Sequence, residues 1–224
     1  FAVNENNNIV TIAGFYSSDK SFNVVGSVYG ELDLEKNLMG KKGFSPFSLL
    51  FTEHIALEQP EKEETAVVKY NLHEVMANKD GGAIIIAEGY SERQADYYNA
   101  ATQTYNKTKT YEYSNIVIAN INASGRLSWE QTITKRQVSE NDFGYYSSYQ
   151  VADFDNKLHF IFNEAIKREP DVLQYYTVDK NSGDMYAWLL INALEDALII
   201  PKAGIRVNDS RLVIPSLRKG KFSF

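Results

Sequence analysis

The sequence contains no cysteine, and only five prolines, three histidines and two tryptophans occur among its 224 residues. The lack of cysteine excludes disulfides, thiolate nucleophiles and thiolate metal sites, although it does not fix the cellular compartment. No apolar run approaches the roughly 18 residues needed to cross a bilayer, so no membrane-spanning segment is predicted. No signal peptide is predicted in the first residues of this sequence. Its first three residues resemble the end of a strand, and we expect the natural N terminus to lie upstream.

An excess of positive charge is also missing. The formal net charge is −6 and the sequence pI is about 5.2. The basic runs at residues 41–42 and 218–221 are short and are typical of solvated turns. Binding to phosphates needs a concentrated basic surface, so the sequence predicts no nucleic-acid partner.

Aromatic residues, in contrast, are plentiful, with 15 tyrosines and 12 phenylalanines. The apolar residues fall in short runs bounded by Asn, Asp, Gly and Ser, which is typical of strands and turns rather than helices. The hydrophobic content of 44% and charged content of 23% are those of an ordinary globular protein. The sequence therefore predicts an all-β fold. Turns are predicted at residues 35–37 and 155–156, and a hairpin is predicted with its turn at residues 208–210, to which residues 221–224 would add the last strand. Residues 47–51 fit either a strand or a short helical turn.

The clearest pattern lies in residues 80–133. It begins with a turn at Gly81 and Gly82, where the positive φ of a tight turn is expected, and continues into an apolar strand over residues 83–90. The tyrosine-rich segment 91–113 separates this strand from two further ones. The last of these contains Trp129 and follows a turn at residues 122–125. These elements make up most of a small antiparallel sheet.

Other parts of the chain repeat this pattern. Residues 6–17 align with residues 80–91 without a gap, at an offset of 74 (80 − 6). The turn 122–125 corresponds to the turn 179–183 at an offset of 57 (179 − 122). Shorter counterparts of the first segment are residues 155–163 and 208–216. Repeats of this size, with about four short strands each, indicate stacked sheets.

We therefore expect a β-propeller-like array of about four antiparallel blades in a single domain, residues 1–224. The approximate blades are residues 1–58, 65–140, 145–193 and 194–224, of which the first and last are incomplete. Because the first and last units lack strands, we expect the repeats to continue as part of a larger propeller.

The repeat also resembles a known group of proteins. Its pattern is Asp-Gly-Gly, an apolar strand, Gly-Tyr-Ser, then Ile-Val-Ile and Asn-x-x-Gly-x-Leu-x-Trp. This pattern is similar to the blade repeat of secreted and cell-envelope β-propeller proteins of the Bacteroidetes type, and it covers residues 78–133 best. The resemblance implies a propeller fold and an extracellular, periplasmic or cell-envelope location. It assigns no catalytic residue.

The tyrosine-rich segment 91–113 is too long for an ordinary hairpin loop. One interpretation is a binding surface, because exposed aromatic rings stack on sugars or partner surfaces. The other is a long hairpin whose arms extend past the sheet and pack their tyrosines on a neighbouring blade. With a second irregular stretch at 135–148, the segment supplies the candidate binding residues, which are Tyr97, Tyr98, Tyr105, Tyr145 and Tyr146.

Motifs for catalysis, metals and cofactors are not found. The three histidines, His54, His73 and His159, are far apart, and His159 is expected to be a satisfied imidazole on an apolar strand. The stretch 179–184 has the oxygens of a calcium loop but lacks its distal glutamate. No catalytic residue, metal site or cofactor is therefore predicted.

Two functions from different classes fit these observations. The first is a non-catalytic propeller scaffold or binding module that holds a protein or glycan at the cell surface through aromatic loops. The second is a propeller enzyme that acts on polysaccharide, as a glycoside hydrolase or lyase, with carboxylates at the central channel. We favour the first by analogy of fold.

Overall fold

The regular structure is almost entirely antiparallel β-sheet, which confirms the predicted all-β class. The computed structural model describes residues 2–4, 8–17, 24–57, 69–79, 81–101, 103–164, 166, 172–190, 197–208, 211–218 and 221–223. These residues form two compact units. The first contains the described residues up to 57 together with 69–79, 81–89 and 115–134, and the second contains 90–114 and the described residues from 135 onward.

The first sheet, in the first unit, is a four-stranded meander in the order β1-β2-β3-β4. Its strands are β1 (Ala2–Asn4), β2 (Ile9–Ser17), β3 (Val24–Asp33) and β4 (Leu38–Pro46). The turn from β3 to β4 has Asn37 at a φ of 51°, and Asp33 Oδ1 accepts the backbone N–H groups of Glu35 and Lys36. The predicted turn at residues 35–37 is thereby confirmed.

A helix, α1 (Leu49–Leu57), follows β4. From the sequence alone, residues 47–51 fit either a strand or a helical turn. Ser48 decides this locally, because its Oγ accepts the Phe51 N–H at 3.2 Å and so caps the helix N terminus. The helix buries Phe51 and Ile55 against Val117.

The second sheet has the order β5-β6-β7-β8, and a further strand, β9, also pairs with β7. Its strands are β5 (Lys69–Ala77), β6 (Ala83–Asn99), β7 (Thr104–Ile121), β8 (Leu127–Ile133) and β9 (Gln137–Glu140). Gly81 and Gly82 have φ values of 94° and 86°, as predicted for the tight turn. Residues 83–89 are all buried, which agrees with a strand covered on both faces.

Two apolar clusters of described residues lie in the core of the first unit. Tyr29 and Ala13 pack with Ile85 and Ile121 in one of them. Phe47 joins the buried face of α1 to β7 in the other. The apolar residues of three elements thus meet around the buried halves of β6 and β7.

The third sheet, in the second unit, is another four-stranded meander, in the order β10-β11-β12-β13. Its strands are β10 (Gln150–Phe154), β11 (Lys157–Asn163), β12 (Leu173–Asp179) and β13 (Met185–Leu190). Asp155 and Asn156 both have positive φ, which is the two-residue hairpin turn that the sequence predicts there. Phe160 and Phe162 alternate with His159 along β11, so one face of the sheet is deeply buried.

The remaining strands are short. They are β14 (Ala197–Ile199), β15 (Ile205–Asn208), β16 (Arg211–Val213), β17 (Ser216–Arg218) and β18 (Lys221–Ser223), with a 3-10 turn at Pro201–Ala203. The predicted hairpin of β15 and β16 is confirmed. The expectation that the last strand extends this hairpin is wrong, because β18 pairs with β17, its neighbour in the chain, and β17 also pairs with β14.

Candidate functional site

The outer halves of β6 and β7 form a long hairpin in the second unit. β6 has 17 residues and β7 has 18, which confirms that the two arms continue the strands of the sheet. Tyrosines on both arms and threonines on the second arm favour the extended backbone. We call residues 90–114 the tyrosine hairpin.

Three of the candidate tyrosines lie near the tip of the tyrosine hairpin. The side chains of Tyr97, Tyr98 and Tyr105 are 51%, 54% and 79% exposed. The rings of Tyr98 and Tyr105 are paired across the strands, with centroids 5.1 Å apart. Alternation along β6 places Tyr97 on the opposite face. The tip therefore presents aromatic rings to solvent on both faces.

The middle of the tyrosine hairpin carries an exposed ion pair. Lys109 Nζ lies 2.7 Å from Glu92 Oε1. A hydrogen bond from Lys109 lowers the pKa of Glu92, and Glu92 in turn raises the pKa of Lys109. Tyr90 donates its hydroxyl to Glu92 Oε2 at 2.9 Å, and burial, reinforced by this bond, raises the pKa of Tyr90. The phenol of Tyr90 therefore keeps its proton further into the alkaline range than an unperturbed tyrosine does.

A buried carboxylate anchors the base of the tyrosine hairpin. Glu112 accepts a hydrogen bond from Arg136 Nε at 2.6 Å and lies 3.5 Å from Arg93 Nη2. A buried carboxylate is tolerated when cations and hydrogen bonds compensate for its lost hydration, as they do here. Glu112 on β7 thus links Arg93 on β6 to Arg136, the residue that precedes β9.

The other two candidate tyrosines lie in the turn after β9. Tyr145 and Tyr146 have their rings 5.1 Å apart and nearly perpendicular. Tyr145 is 45% exposed, whereas Tyr146 is half-buried, and burial raises the pKa of Tyr146. We call residues 141–148 the β9 loop.

Contacts at Tyr113 and Tyr111 hold the β9 loop against the base of the tyrosine hairpin. Gly144 has a φ of 62°, and a Cβ atom there would lie 2.5 Å from a ring carbon of Tyr113. Lys202 Nζ donates to Tyr113 Oη at 2.6 Å and to the Gly144 carbonyl at 3.1 Å. Phe143 lies 6.1 Å from Tyr111, ring to ring. Glycine is therefore required at position 144, both because its φ is positive and because the Tyr113 ring leaves no room for a side chain.

The structure thus brings the candidates together as two groups. Tyr98 and Tyr105 form one ring pair at the tip, and Tyr145 and Tyr146 form the other in the β9 loop. Tyr105 and Tyr111 are on one strand, about 20 Å apart at the rise of an extended chain, so the tip lies well away from the residue that contacts the β9 loop.

Sequence reasoning missed several residues of this region. Phe143 is 79% exposed, and its only sequence signal is an aromatic residue between Asp142 and Gly144 in a turn. Lys202, Glu112 and Arg136 carry no local motif, because their partners are distant in the chain or lie on other strands. Such non-local pairing is visible only once the strands are placed.

The histidines do not assemble a site. His159 Nδ1 lies 2.6 Å from Tyr175 Oη and Nε2 lies 3.3 Å from the Phe154 carbonyl oxygen, which confirms a satisfied imidazole. His73 Nε2 lies 3.6 Å from the buried Glu88 carboxylate. Within the described residues, no group of three or more His, Asp or Glu side chains is placed to hold a metal ion.

Comparison with known proteins adds no assignment: no family model, no curated protein and no solved structure matches the chain. In the part of the chain that the structure describes, no helix combines the length and the apolar character needed to cross a membrane.

Proposed function

We propose that the chain is a non-catalytic β-propeller binding module that holds a protein or glycan partner through exposed tyrosines. The observation that carries this proposal is the ring pair of Tyr98 and Tyr105 at the tip of a long hairpin, with Tyr97 on its other face. Rings exposed on a two-stranded arm contribute nothing to a core. They offer a large contact area at a low cost in side-chain entropy.

The anchoring of the arm supports the same proposal. Glu112, Arg93 and Arg136 fix the base, so the tip is presented on a structured element rather than on a free loop. Binding groups held in place before the partner arrives lose less entropy on binding.

The propeller part of the proposal rests on the repeat. Three of the four aligned segments supply β2, β6 and β11, which are each the second strand in the order of their sheet. The fourth segment, residues 208–216, supplies β16 of the two-stranded pair. The two corresponding turns, 122–125 and 179–183, precede β8 and β13, and each ends in a glycine of positive φ. By the resemblance of this repeat, we propose an extracellular, periplasmic or cell-envelope location.

A binding experiment tests the proposal. The intact chain is applied to a glycan array and used as bait for envelope proteins, beside a Tyr98→Ala/Tyr105→Ala variant. We expect a partner whose dissociation constant rises at least about tenfold in the variant, as for truncation of a central aromatic contact.

The matched control is Tyr186→Ala, an exposed tyrosine on β13 outside the candidate groups. It should leave binding unchanged. Equal binding by the tip variant and the intact chain, or the absence of any partner, would remove the tyrosine hairpin as the binding surface.

A further inference from the structure

A groove of about 610 Å³ lies in the first unit. The residues and strands that form it are different from those that carry the candidate tyrosines. Residues 44–48, at the end of β4 and just beyond it, form one wall, and residues 126–130, at the start of β8, form the other. The volume is within the range of small-ligand sites.

Direct contacts between the two walls fix the shape of the groove. Ser45 Oγ accepts the Leu127 N–H at 3.1 Å, and Glu130 Oε1 accepts the Ser48 N–H at 3.0 Å. Phe47 and Leu127 also pack in the same apolar cluster of the core. Because backbone groups and core residues make these contacts, the groove is formed without a ligand.

The lining combines aromatic rings with hydroxyl and charged groups. Phe44 is 70% exposed and rests edge-on against Tyr16, while Trp129 on the other wall is half-buried. Arg126 and Glu130 are the one cation and the one anion among the residues lining the groove, so their charges cancel. A phosphorylated or strongly acidic ligand would need more positive charge than this.

Glu130 places a carboxylate with unused hydrogen-bonding capacity in the wall of the groove. Its Oε1 atom is engaged by Ser48, but its Oε2 atom is buried and has no hydrogen-bond partner among the described residues. A buried carboxylate oxygen without a donor is costly. Because this atom is closed to solvent, the Glu130 side chain would turn toward the groove to accept a ligand hydroxyl, and that hydrogen bond would remove the cost.

We propose that this groove binds a neutral saccharide. Sugar rings have apolar faces that stack on Phe44 and Trp129, and their hydroxyl groups donate to Glu130 and accept from Arg126. A saccharide is thus neutral overall, apolar on its faces and rich in donors at its edges, which matches the lining. This site is separate from the tyrosine hairpin and does not depend on its function.

The two tryptophans allow a direct test, because the chain has only Trp129 and Trp188. In a Trp188→Phe variant, Trp129 is the sole indole and reports on the groove. Neutral oligosaccharides of glucose, mannose and xylose are titrated to millimolar concentrations. We expect at least one of them to shift the Trp129 emission and to protect it from quenching by acrylamide.

Substitutions link the signal to the groove. Phe44→Ala, in the Trp188→Phe background, should weaken binding about tenfold, whereas Leu50→Ala, an exposed apolar truncation on α1, should not. Circular dichroism checks that both variants are folded. A Trp129→Phe variant, which retains Trp188, should show no emission change.

Other outcomes overturn the proposal. They are no response to any neutral oligosaccharide, a response only to oligogalacturonate or to an extended apolar peptide, and an affinity unchanged by Phe44→Ala. The Tyr98→Ala/Tyr105→Ala variant should bind the same saccharide normally in the groove. Failure of the tyrosine hairpin as a partner surface is therefore distinguishable from failure of this site.

Discussion

Tyr29 shows how one side chain links the first two sheets. Its hydroxyl donates to Glu31 Oε1 and accepts the Gly82 N–H at 3.1 Å. Burial, and then the hydrogen bond to Glu31, raises the pKa of Tyr29 from 10.0 to about 12. The folded state therefore holds the phenolic proton more tightly than the unfolded chain does.

This predicts a loss of stability at alkaline pH. The contribution of Tyr29 is complete below pH 10 and is lost between pH 10 and about 12, because the unfolded chain loses the proton first. The free energy of unfolding should fall by roughly 2 kcal/mol over this range from Tyr29 alone. Urea unfolding of the Tyr29→Phe variant should show a smaller decrease. An identical decrease in both proteins would contradict the assignment.

Asn163 is a second residue whose role is structural. Its Oδ1 accepts the Ile199 N–H, and its Nδ2 donates to the carbonyl oxygens of Ile199 and Tyr146. Gln137 donates to the Asn163 carbonyl and accepts the Ser148 N–H. These two buried amides join β9, the β9 loop, β11 and β14.

Asn163→Ala should lower the free energy of unfolding by about 3 kcal/mol, since it leaves several buried backbone groups without partners. Chemical denaturation measures the change. Asn181→Ala, in an exposed turn, is the matched control and should change stability by less than about 0.5 kcal/mol. Similar values for the two variants would show that the buried network contributes little.

At the scale of the elements, strands and tight turns were predictable because their signals are local. A few neighbouring residues are enough to predict each of these elements. Examples are the strand at residues 9–17, the Asp155-Asn156 turn and the Gly81-Gly82 turn. Pairing of β18 with β17 was missed, because short strands carry no information about their partners. The ring pair of Tyr98 and Tyr105 was not predicted either, because it depends on the register across the hairpin.

Gly82 gives the sharpest test of a predicted element. A Cβ atom at this position would overlap the Ile121 carbonyl oxygen, and the φ of 86° at Gly82 is unfavourable for other residues. Gly82→Ala should therefore destabilise the protein by about 3 kcal/mol or more. Thermal unfolding should show only a small change for Gly14→Ala, where the new Cβ meets its nearest neighbour at 3.8 Å. A mild effect of Gly82→Ala would mean that the turn has another conformation in solution.

At the scale of the whole molecule, the sequence alone defines the net charge and shows that its basic runs are short. The net charge of −6 predicts that the chain does not bind nucleic acid. In a gel-shift experiment with duplex DNA at low salt, we expect no retarded species at micromolar protein. Retardation that weakens as salt increases would instead reveal a basic surface formed by folding.

The amides of Gln137 and Asn163 also bear on the order in which the chain folds. The partners of Asn163 at Ile199 lie 36 positions further along the chain. During synthesis, Asn163 therefore lacks these partners until β14 has been made, and the β9 loop lacks the hydrogen bond from Lys202 Nζ to the Gly144 carbonyl until the residues after β14 have been made. Contacts of such long sequence separation form late. We expect the aromatic groups of this loop to be among the last parts of the protein to reach their final positions.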